Sequence, residues 1–494
     1  MKKTIAFFTL LALVALPASV MAAKTGDFEI GGYIKLHTWW DSTSDVNKNL
    51  SLKANRNNAF RPTNEGRFRM SSQDTRFNFK IKGPDVLGAK TQGYIEVDFD
   101  GSGQDPQATV TNAVNPRLRH AWFRMDWPGG WQVLMGQYWG VFCDYWPDTV
   151  NSGPLFGHGM STQRLPQVRV TFKTGPWRFD AMAGTPNDEF DNGLIALNNA
   201  LGFPWLPGTP AVPGMTGNFT GGRATLPQFG GQVTFEKDLW GKAAFFSRPR
   251  GFTVNVSAAV QRQKYDDGFS GALGARTFGQ AGYGTVTLVQ DGVTLTPWKV
   301  QASMFIPILP TKTEDLKNTA SIQVQFYVGE GLRAFGNDFL GGNNSYFMFD
   351  SLQNIGGFVN VPVYDRKLMR RYGGYIQGQY YFNNQWYVSY LYGFSKAYGV
   401  NRDRNPLLVT PLNPDGYEFA TGGDPIKFIQ EHNVSLFFRP NANFKFGLSY
   451  VYLNQNWFQT NGSPFTAAGV PFSTTTDTTR GDVHRVQFAG WFFF

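Results

Sequence analysis

The chain has 494 residues, with 45 lysines and arginines against 36 aspartates and glutamates, a formal charge of +9; only 16% of it is charged and another 16% is aromatic. Its 45 phenylalanines, 20 tyrosines and 56 glycines favour strands and tight turns over helices, which draw on charged residues. A single cysteine, Cys143, excludes a disulfide scaffold, and five scattered histidines show no metal-ligand spacing and no Cys-x-x-Cys-His, so no metal, covalent haem or other cofactor is expected.

The first stretch, MKKTIAFFTLLALVALPASVMAAKTGDF, has the three parts of a secretory signal. Lys2 and Lys3 form the positive region, 5–16 the apolar core, and Val20-Met21-Ala22 a small-residue cleavage site. The apolar core is shorter than the ~20 residues a membrane helix needs and stops at Pro17. Residues 1–22 are therefore expected to be a cleaved signal peptide, with 23–494 as the mature unit. Losing Lys2 and Lys3 lowers the charge to +7 (9 − 2). No later stretch offers the ~18 apolar residues of a membrane helix, so an exported chain either stays soluble or crosses a membrane as strands.

Beyond Phe28 the dominant signal is alternation, since successive strand side chains point to opposite faces. TRFNFKIK sets Phe77, Phe79 and Ile81 against Arg76, Asn78, Lys80 and Lys82; TQGYIEVDF sets Ile95, Val97 and Phe99 against Glu96 and Asp98. GFTVNVSAAVQRQ opposes Phe252, Val254, Val256, Ala258 and Val260 to Thr253, Asn255, Ser257 and Gln261. PWKVQASMFI and NTASIQVQFYV continue the pattern. Similar runs lie near 28–40, 73–83, 89–99, 117–127, 131–142, 166–173, 177–184, 228–236, 251–262, 295–306, 318–330, 371–383, 385–395, 427–439, 443–455 and 483–494. That is sixteen runs, the even number a single-chain bacterial barrel requires.

Short connections such as GPDVLGA, WPGG, TGP, FNNQ and RPNAN alternate with long ones, as in a transmembrane antiparallel β-barrel with short periplasmic turns and long extracellular loops. TVTLVQDGVTLT reads as a hairpin around Asp291-Gly292, either above the membrane or as an extra pair making eighteen strands. Trp39, Trp40, Trp127, Trp131, Trp177, Trp240, Trp298, Trp386 and Trp457 are candidates for aromatic girdles at the two membrane surfaces.

GGYIKLHTWWD, DTRFNFKIKGP, RLRHAWFRM and LMGQYWGVFCD resemble the DcaP-like porins of bacterial outer membranes, and the terminal Phe resembles porins generally. These motifs cover about a quarter of the chain. The resemblance implies a homotrimer of sixteen-stranded barrels in a Gram-negative outer membrane, passing small, preferably anionic solutes, with a third long loop (about 143–165) folded inward. Members of that family carry a helical N-terminal extension for which this sequence has only a few residues before Phe28.

A barrel of this size has room for a water-filled lumen with selectivity set by charged side chains. Lys35, Arg76, Lys80, Glu96, Asp98, His120, Arg124, Arg169 and Arg178 alternate with apolar residues and are the pore-lining candidates; Lys82 shares that face. The third loop contributes Asp144, Asp148, His158 and Arg164, so a basic wall facing an acidic loop is expected, with anion preference. Arg67, Arg69, Arg117 and Arg119 sit near loop ends, where lipopolysaccharide phosphate or solvent is an equal alternative for Arg67, Arg69 and Arg117. Trp122, Tyr138, Trp139, Tyr145 and Trp146 offer a second transport reading, a stacking track for sugars.

DFDGSGQD begins with calcium-loop spacing, but Thr109 stands where the final Glu belongs. No Ser/His or Asp/His signature marks an enzyme, and export with strand patterning argues against nucleic acid. In the closing run DVHRVQFAGWFFF, Val486, Phe488, Gly490, Phe492 and Phe494 should face lipid, with Arg485 and Gln487 inward. Phe488, Phe492 and Phe494 also resemble the signal read by barrel-assembly machinery. Trp491 and Phe493 then point inward, toward the pore mouth or the 29–33 region of the first strand.

Overall fold

A computed structural model describes residues 27–43, 54, 65–101, 115–143, 145–153, 155, 159–160, 162–187, 216–272, 285–289, 293–336, 345–355, 359–399, 426–457 and 480–494. The expected signal segment lies outside them. Among the described residues there is no α-helix, and no helix is long and apolar enough to cross a membrane.

Seventeen strands form one antiparallel sheet. They are β1 (Phe28–Asp41), β2 (Arg67–Ser71), β3 (Arg76–Lys82), β4 (Lys90–Asp98), β5 (Arg117–Asp126) and β6 (Trp131–Trp139). Next come β7 (Arg164–Thr174), β8 (Trp177–Gly184), β9 (Gln228–Lys237), β10 (Phe252–Val260), β11 (Trp298–Leu309) and β12 (Ala320–Glu330). The last are β13 (Arg370–Tyr381), β14 (Trp386–Ala397), β15 (Ile426–Phe438), β16 (Phe444–Trp457) and β17 (Arg480–Phe493). Both β2 and β3 pair with β1, the upper half of it and the lower half respectively, so they are two pieces of one crossing broken at 72–75. The sheet is thus a barrel of sixteen crossings, at the positions the alternation marks.

Closure is made by β1 on β17, from Tyr33↔Phe493 to Asp41↔Arg485. A buried bidentate pair, Arg485 Nε and Nη2 to Asp41 at 2.6 and 2.8 Å, sits at the upper end of that seam. At the lower end Gly32 and Phe494 exchange two backbone hydrogen bonds of 3.2 Å. The inward Phe493 packs edge-on against Tyr33, 5.7 Å between centroids, while Trp491 is buried beneath Lys35 and Lys445.

The eighteen-strand alternative and the Asp-Gly hairpin are not what forms. Segments 285–289 and 293–295 both pair with Gln263–Ala272, which also pairs with Thr216–Ala224; Asp291 and Gly292 lie outside the described residues. This four-stranded sheet is separate from the barrel.

The outer face carries the apolar set, with Ile34, Leu36, Phe79, Ile95, Phe123, Val256, Val300, Phe326, Leu448 and Phe488 exposed. Near the short turns Trp131, Trp177, Trp240 and Trp386 are exposed and packed against Phe172, Phe235, Phe252 and Phe438, an aromatic girdle at that end. Trp39 and Trp457 do not belong to a girdle: both are buried, Trp39 under the Arg485 guanidinium.

Candidate pore constriction

Three segments occupy the inside of the barrel. The first is the third long loop, whose Val141, Phe142, Tyr145, Asp148, Val150, Leu155 and Met160 are buried. Its Phe142 and Tyr145 carbonyls accept from Gln301 Nε2 at 3.1 Å and Tyr375 OH at 3.3 Å. Gly159 has φ +146° and lies so close to β13 and β14 that a Cβ there would meet the Gly374 oxygen at 3.0 Å. A Cβ on Gly393 would collide with Leu155, so glycine on the wall makes room for the loop.

The second segment is a hairpin, Ala243–Phe245 with Arg248–Arg250, folded in from the short-turn end. The Ala244 carbonyl accepts from Ser321 Oγ at 3.2 Å, and the Arg250 guanidinium lies 5.1 Å over the Tyr145 ring of the third loop. The third is the turn Leu332–Phe335, whose Ala334 carbonyl accepts from Gln228 and Gln163 at 2.8 and 3.0 Å. Loop, turn and the inner faces of β7, β8 and β10 share one apolar cluster, Val141, Phe142, Leu165, Met182, Ala259, Ala334 and Phe335.

These occupants cover one part of the inner surface and leave another open. On β10, β12 and β15 the inward Asn255, Gln325 and Asn433 are only 0, 1 and 1% exposed. On β3, β5 and β8 the inward Arg76, Arg124 and Arg178 side chains retain 23, 30 and 32%. Open space inside the barrel therefore lies along the β3–β6 wall and its β8 neighbour.

That wall is built of charges and rings. Arg119 joins Glu96 and Asp98, both at 2.6 Å; Arg117 joins Asp98 at 2.7 Å and Asp100 at 3.1 Å; Arg76 lies 3.5 Å from Glu96. Beside them runs a ladder of rings: Tyr94 stacks on Trp122 (5.3 Å), Trp122 meets Tyr138 (5.9 Å), His120 meets Tyr138 and Trp139 (5.2 and 5.9 Å), and Trp139 meets Trp146 (5.4 Å). Guanidiniums cover three of these rings, Arg124 over Trp122, Arg169 over Tyr138 and Arg164 over Trp139, at 5.6, 5.4 and 4.9 Å. Each such contact is worth about 0.5–2 kcal/mol and holds the cation against the wall.

Of the expected pore-lining residues, Arg76, Glu96, Asp98, His120, Arg124 and Arg169 gather in this region. Arg178 pairs with Asp180 at 2.8 Å, and Lys80 reaches Glu29 at 3.1 Å near the short-turn rim, away from the cluster. Two residues have a different position from the one expected. Lys35 is 1% exposed and spans Asp74 (2.8 Å), the Val150 carbonyl (2.9 Å) and Ser152 Oγ (2.9 Å). Asp148 does not oppose the basic wall: it lies on the far side, accepting from Lys445 at 2.6 Å and Tyr387 at 2.8 Å, with its backbone doubly bonded to Gln377. A charge enclosed by the loop must be paired, which is why both became fastenings of the loop. Asp144 and His158 lie outside the described residues. Phe488, Phe492 and Phe494 face outward.

Sequence reading placed Arg119 at a loop end and did not foresee its role. The β4–β5 register slips between Glu96 and Val97, so Arg119 has no partner in the ladder. This bulge turns both Arg119 and His120 inward, which strict alternation forbids.

No protein-family model matches the chain, and no curated protein matches it. Among solved structures, the outer membrane channel DcaP of Acinetobacter baumannii superposes with a TM-score of 0.58 at 15% identity, spanning 96% of this chain and 99% of that one. OmpF of Salmonella typhi, solved with daunomycin, gives 0.43 at 10% identity over 95% of this chain and 100% of that one. OmpT of Vibrio cholerae gives 0.42 at 10% identity over 97% of this chain and 100% of that one. At those TM-scores the latter two carry no weight. The DcaP channel shares the fold: a closed antiparallel barrel of sixteen crossings.

Proposed function

We propose that the protein is an outer-membrane porin of the DcaP-like kind, a passive diffusion channel for small hydrophilic solutes with a preference for anions, working as a homotrimer. The carrying observation is the asymmetric lumen, with three inserted segments on one side and, on the other, a charged wall whose Arg76, Arg117, Arg124 and Arg178 side chains stay partly exposed over buried Glu96, Asp98 and Arg119. Along that wall four guanidiniums, Arg76, Arg117, Arg119 and Arg164, stand against three carboxylates, Glu96, Asp98 and Asp100, leaving one positive charge (4 − 3). Arg124 and Arg178 are balanced by Asp126 and Asp180 at 2.9 and 2.8 Å, and Arg169 continues the track. A charged ring in a pore enriches counter-ions, so anions gain.

Planar-bilayer recording on the purified protein tests this. Stable conductance is expected, with a reversal potential under a salt gradient showing anion preference. Cation preference would overturn the selectivity, and absence of conductance the channel itself.

The ring ladder favours a second reading, sugar stacking, because Tyr94, Trp122, Tyr138, Trp139 and Trp146 are contiguous. Guanidiniums over Trp122, Tyr138 and Trp139 weigh against it, since they occupy ring faces a sugar would need. Sugar-dependent block of the current separates the two. The C-terminal strand serves in this proposal as the address for assembly machinery. Deleting Phe494, which also removes its two bonds to Gly32, should slow assembly while assembled channels conduct normally.

A further inference from the structure

We propose that Arg248, on the hairpin that folds in from the short-turn end, is a second selectivity-determining residue. It is a fixed positive charge at the inner mouth of the channel, in series with the β3–β6 wall; this role rests on the channel function proposed above.

Other short-turn connections close in a few residues, as at 127–130 and 382–385, but β9 and β10 are joined by 238–251. The root of this longer connection is stitched to β11 and the turn after it. Trp240 Nε1 donates to the Pro307 carbonyl at 2.8 Å, and Lys242 and Thr311 exchange backbone hydrogen bonds of 2.8 and 2.7 Å. Gly241, at φ +119°, is required there, because a Cβ would meet the Pro310 side chain at 2.8 Å.

Beyond the root the hairpin lies on the barrel's inner surface. Ala243 and Ala244 are buried, and Phe245 packs edge-on against Phe305, 5.4 Å between centroids. The tip is a two-residue turn, Phe246-Ser247, with φ of 50° and 60°. Asn and Gly adopt that conformation readily and phenylalanine does not. The turn is held from outside: Ser247 N donates to the Tyr381 hydroxyl at 3.2 Å, and Tyr381 is buried in a stack with Tyr387 at 4.3 Å. A strained turn persists only where its surroundings over-determine it, and here it fixes the position of the next residue, Arg248.

Pairing within the hairpin sets Phe245 opposite Arg248 and Ala243 opposite Arg250. Cross-strand partners share a face. That face meets Tyr145 of the third loop, through the Phe245 ring at 6.3 Å and the Arg250 guanidinium at 5.1 Å. Arg248 therefore stands on the loop side of the hairpin, inside the mouth, and it is exposed.

Charge balance separates it from the arginines of the open wall. Arg76, Arg117, Arg119, Arg124 and Arg178 each have a carboxylate partner. Glu236, at the foot of the hairpin, is taken by Arg250 at 3.0 Å. Arg248 has no ion-pair partner among the described residues. A paired charge acts at a distance as a dipole, whose field fades quickly, whereas an unbalanced one keeps its full reach until salt screens it. One lone guanidinium at the mouth thus weighs more on a passing ion than several paired ones.

Reversal potentials in planar bilayers provide the test. At about 0.1 M salt, R248Q should lower the anion-to-cation permeability ratio about twofold, one charge ~8 Å from the path acting oppositely on the two ions and damped by screening. At about 1 M salt, where the Debye length shrinks to ~3 Å, the difference should vanish. R248K should behave as wild type, and R248E should fall below R248Q. Labelling after insertion removes any dependence on folding. In C143S/R248C channels, which carry one thiol, a cationic methanethiosulfonate should raise the ratio and an anionic one should lower it. Equal low-salt ratios for wild type, R248Q and R248E would overturn the role of Arg248 and spare the channel, as would R248C currents indifferent to both reagents. Absence of conductance in the wild type would overturn both.

Discussion

The two inner walls of this barrel are made of similar backbone and opposite side-chain logic. Along β3–β6 the inward residues are arginines, carboxylates and large rings, paired with their strand neighbours, with Arg76, Arg117 and Arg124 partly exposed and Glu96, Asp98 and Arg119 buried. Along β10–β17 they are mostly Gln, Asn, Ser and Thr, buried under the third loop and the Ala243–Arg250 hairpin region. Charges on the open wall are balanced locally, within one or two strands, and Arg76, Arg117 and Arg124 keep part of their surface open. Among the buried charges of the covered wall, Lys445 pairs with Asp148 of the loop itself, and beside that wall Lys35, paired with Asp74, reaches the loop's Val150 carbonyl and Ser152. In the proposed channel the open wall would select, and the covered wall anchors the loop.

The sharpest way to break this division is to remove an anchor. Asp148→Ala leaves the Lys445 ammonium enclosed beside Tyr387 and Phe437 and should cost about 3–5 kcal/mol. The midpoint of heat-induced loss of the folded band on gels should fall, and single-channel currents should become noisy as the loop loosens. Adding Lys445→Met should recover much of the loss. An unchanged midpoint in Asp148→Ala would mean that the loop is held by other contacts.

Next in size is a change on the selecting wall. Arg119→Gln removes the partner shared by Glu96 and Asp98 and should lower the anion-to-cation permeability ratio about fivefold, because one charge ~8 Å from the path at water-like permittivity acts with opposite sign on anion and cation. Gln325→Met, on the covered wall, should leave the reversal potential where it was. If both variants shift it equally, the walls do not differ in function.

The smallest effect is expected from Trp122→Ala. Tyr94, Tyr138 and Arg124 lose a stacking partner, so the track should loosen and single-channel conductance rise modestly, with little change in selectivity. A large loss of selectivity would show that Trp122 positions Arg124 rather than merely lining the path.

Most of the barrel was legible because its signal is local. A two-residue period needs only the residues of the run itself, and it located every crossing except the β2 piece, Arg67–Ser71, of the second, together with outward sets such as Phe79, Ile95, Val256 and Phe488. Turn composition located five of the short connections, but not the Ala243–Arg250 hairpin, whose inward fold depends on Phe305, Ser321 and Tyr381 waiting inside. Arg76, Glu96, Asp98, His120 and Arg124 were readable as a wall for the same reason as the strands. Arg119 was not, because a one-residue slip in register leaves no mark in composition.

What the sequence by itself determined is therefore the face each strand shows to its two sides and the end at which the chain turns back quickly. Those are properties of adjacent residues and of tight-turn chemistry. Tertiary structure alone decided which inward charges stay open to water. Lys35 and Arg76 look alike along the chain, yet one is enclosed by Asp74, Val150 and Ser152 and the other lines the path. Burial is imposed by segments arriving from elsewhere, as Asp148 meets Lys445 297 positions on, and a buried charge must take whatever partner that arrival supplies.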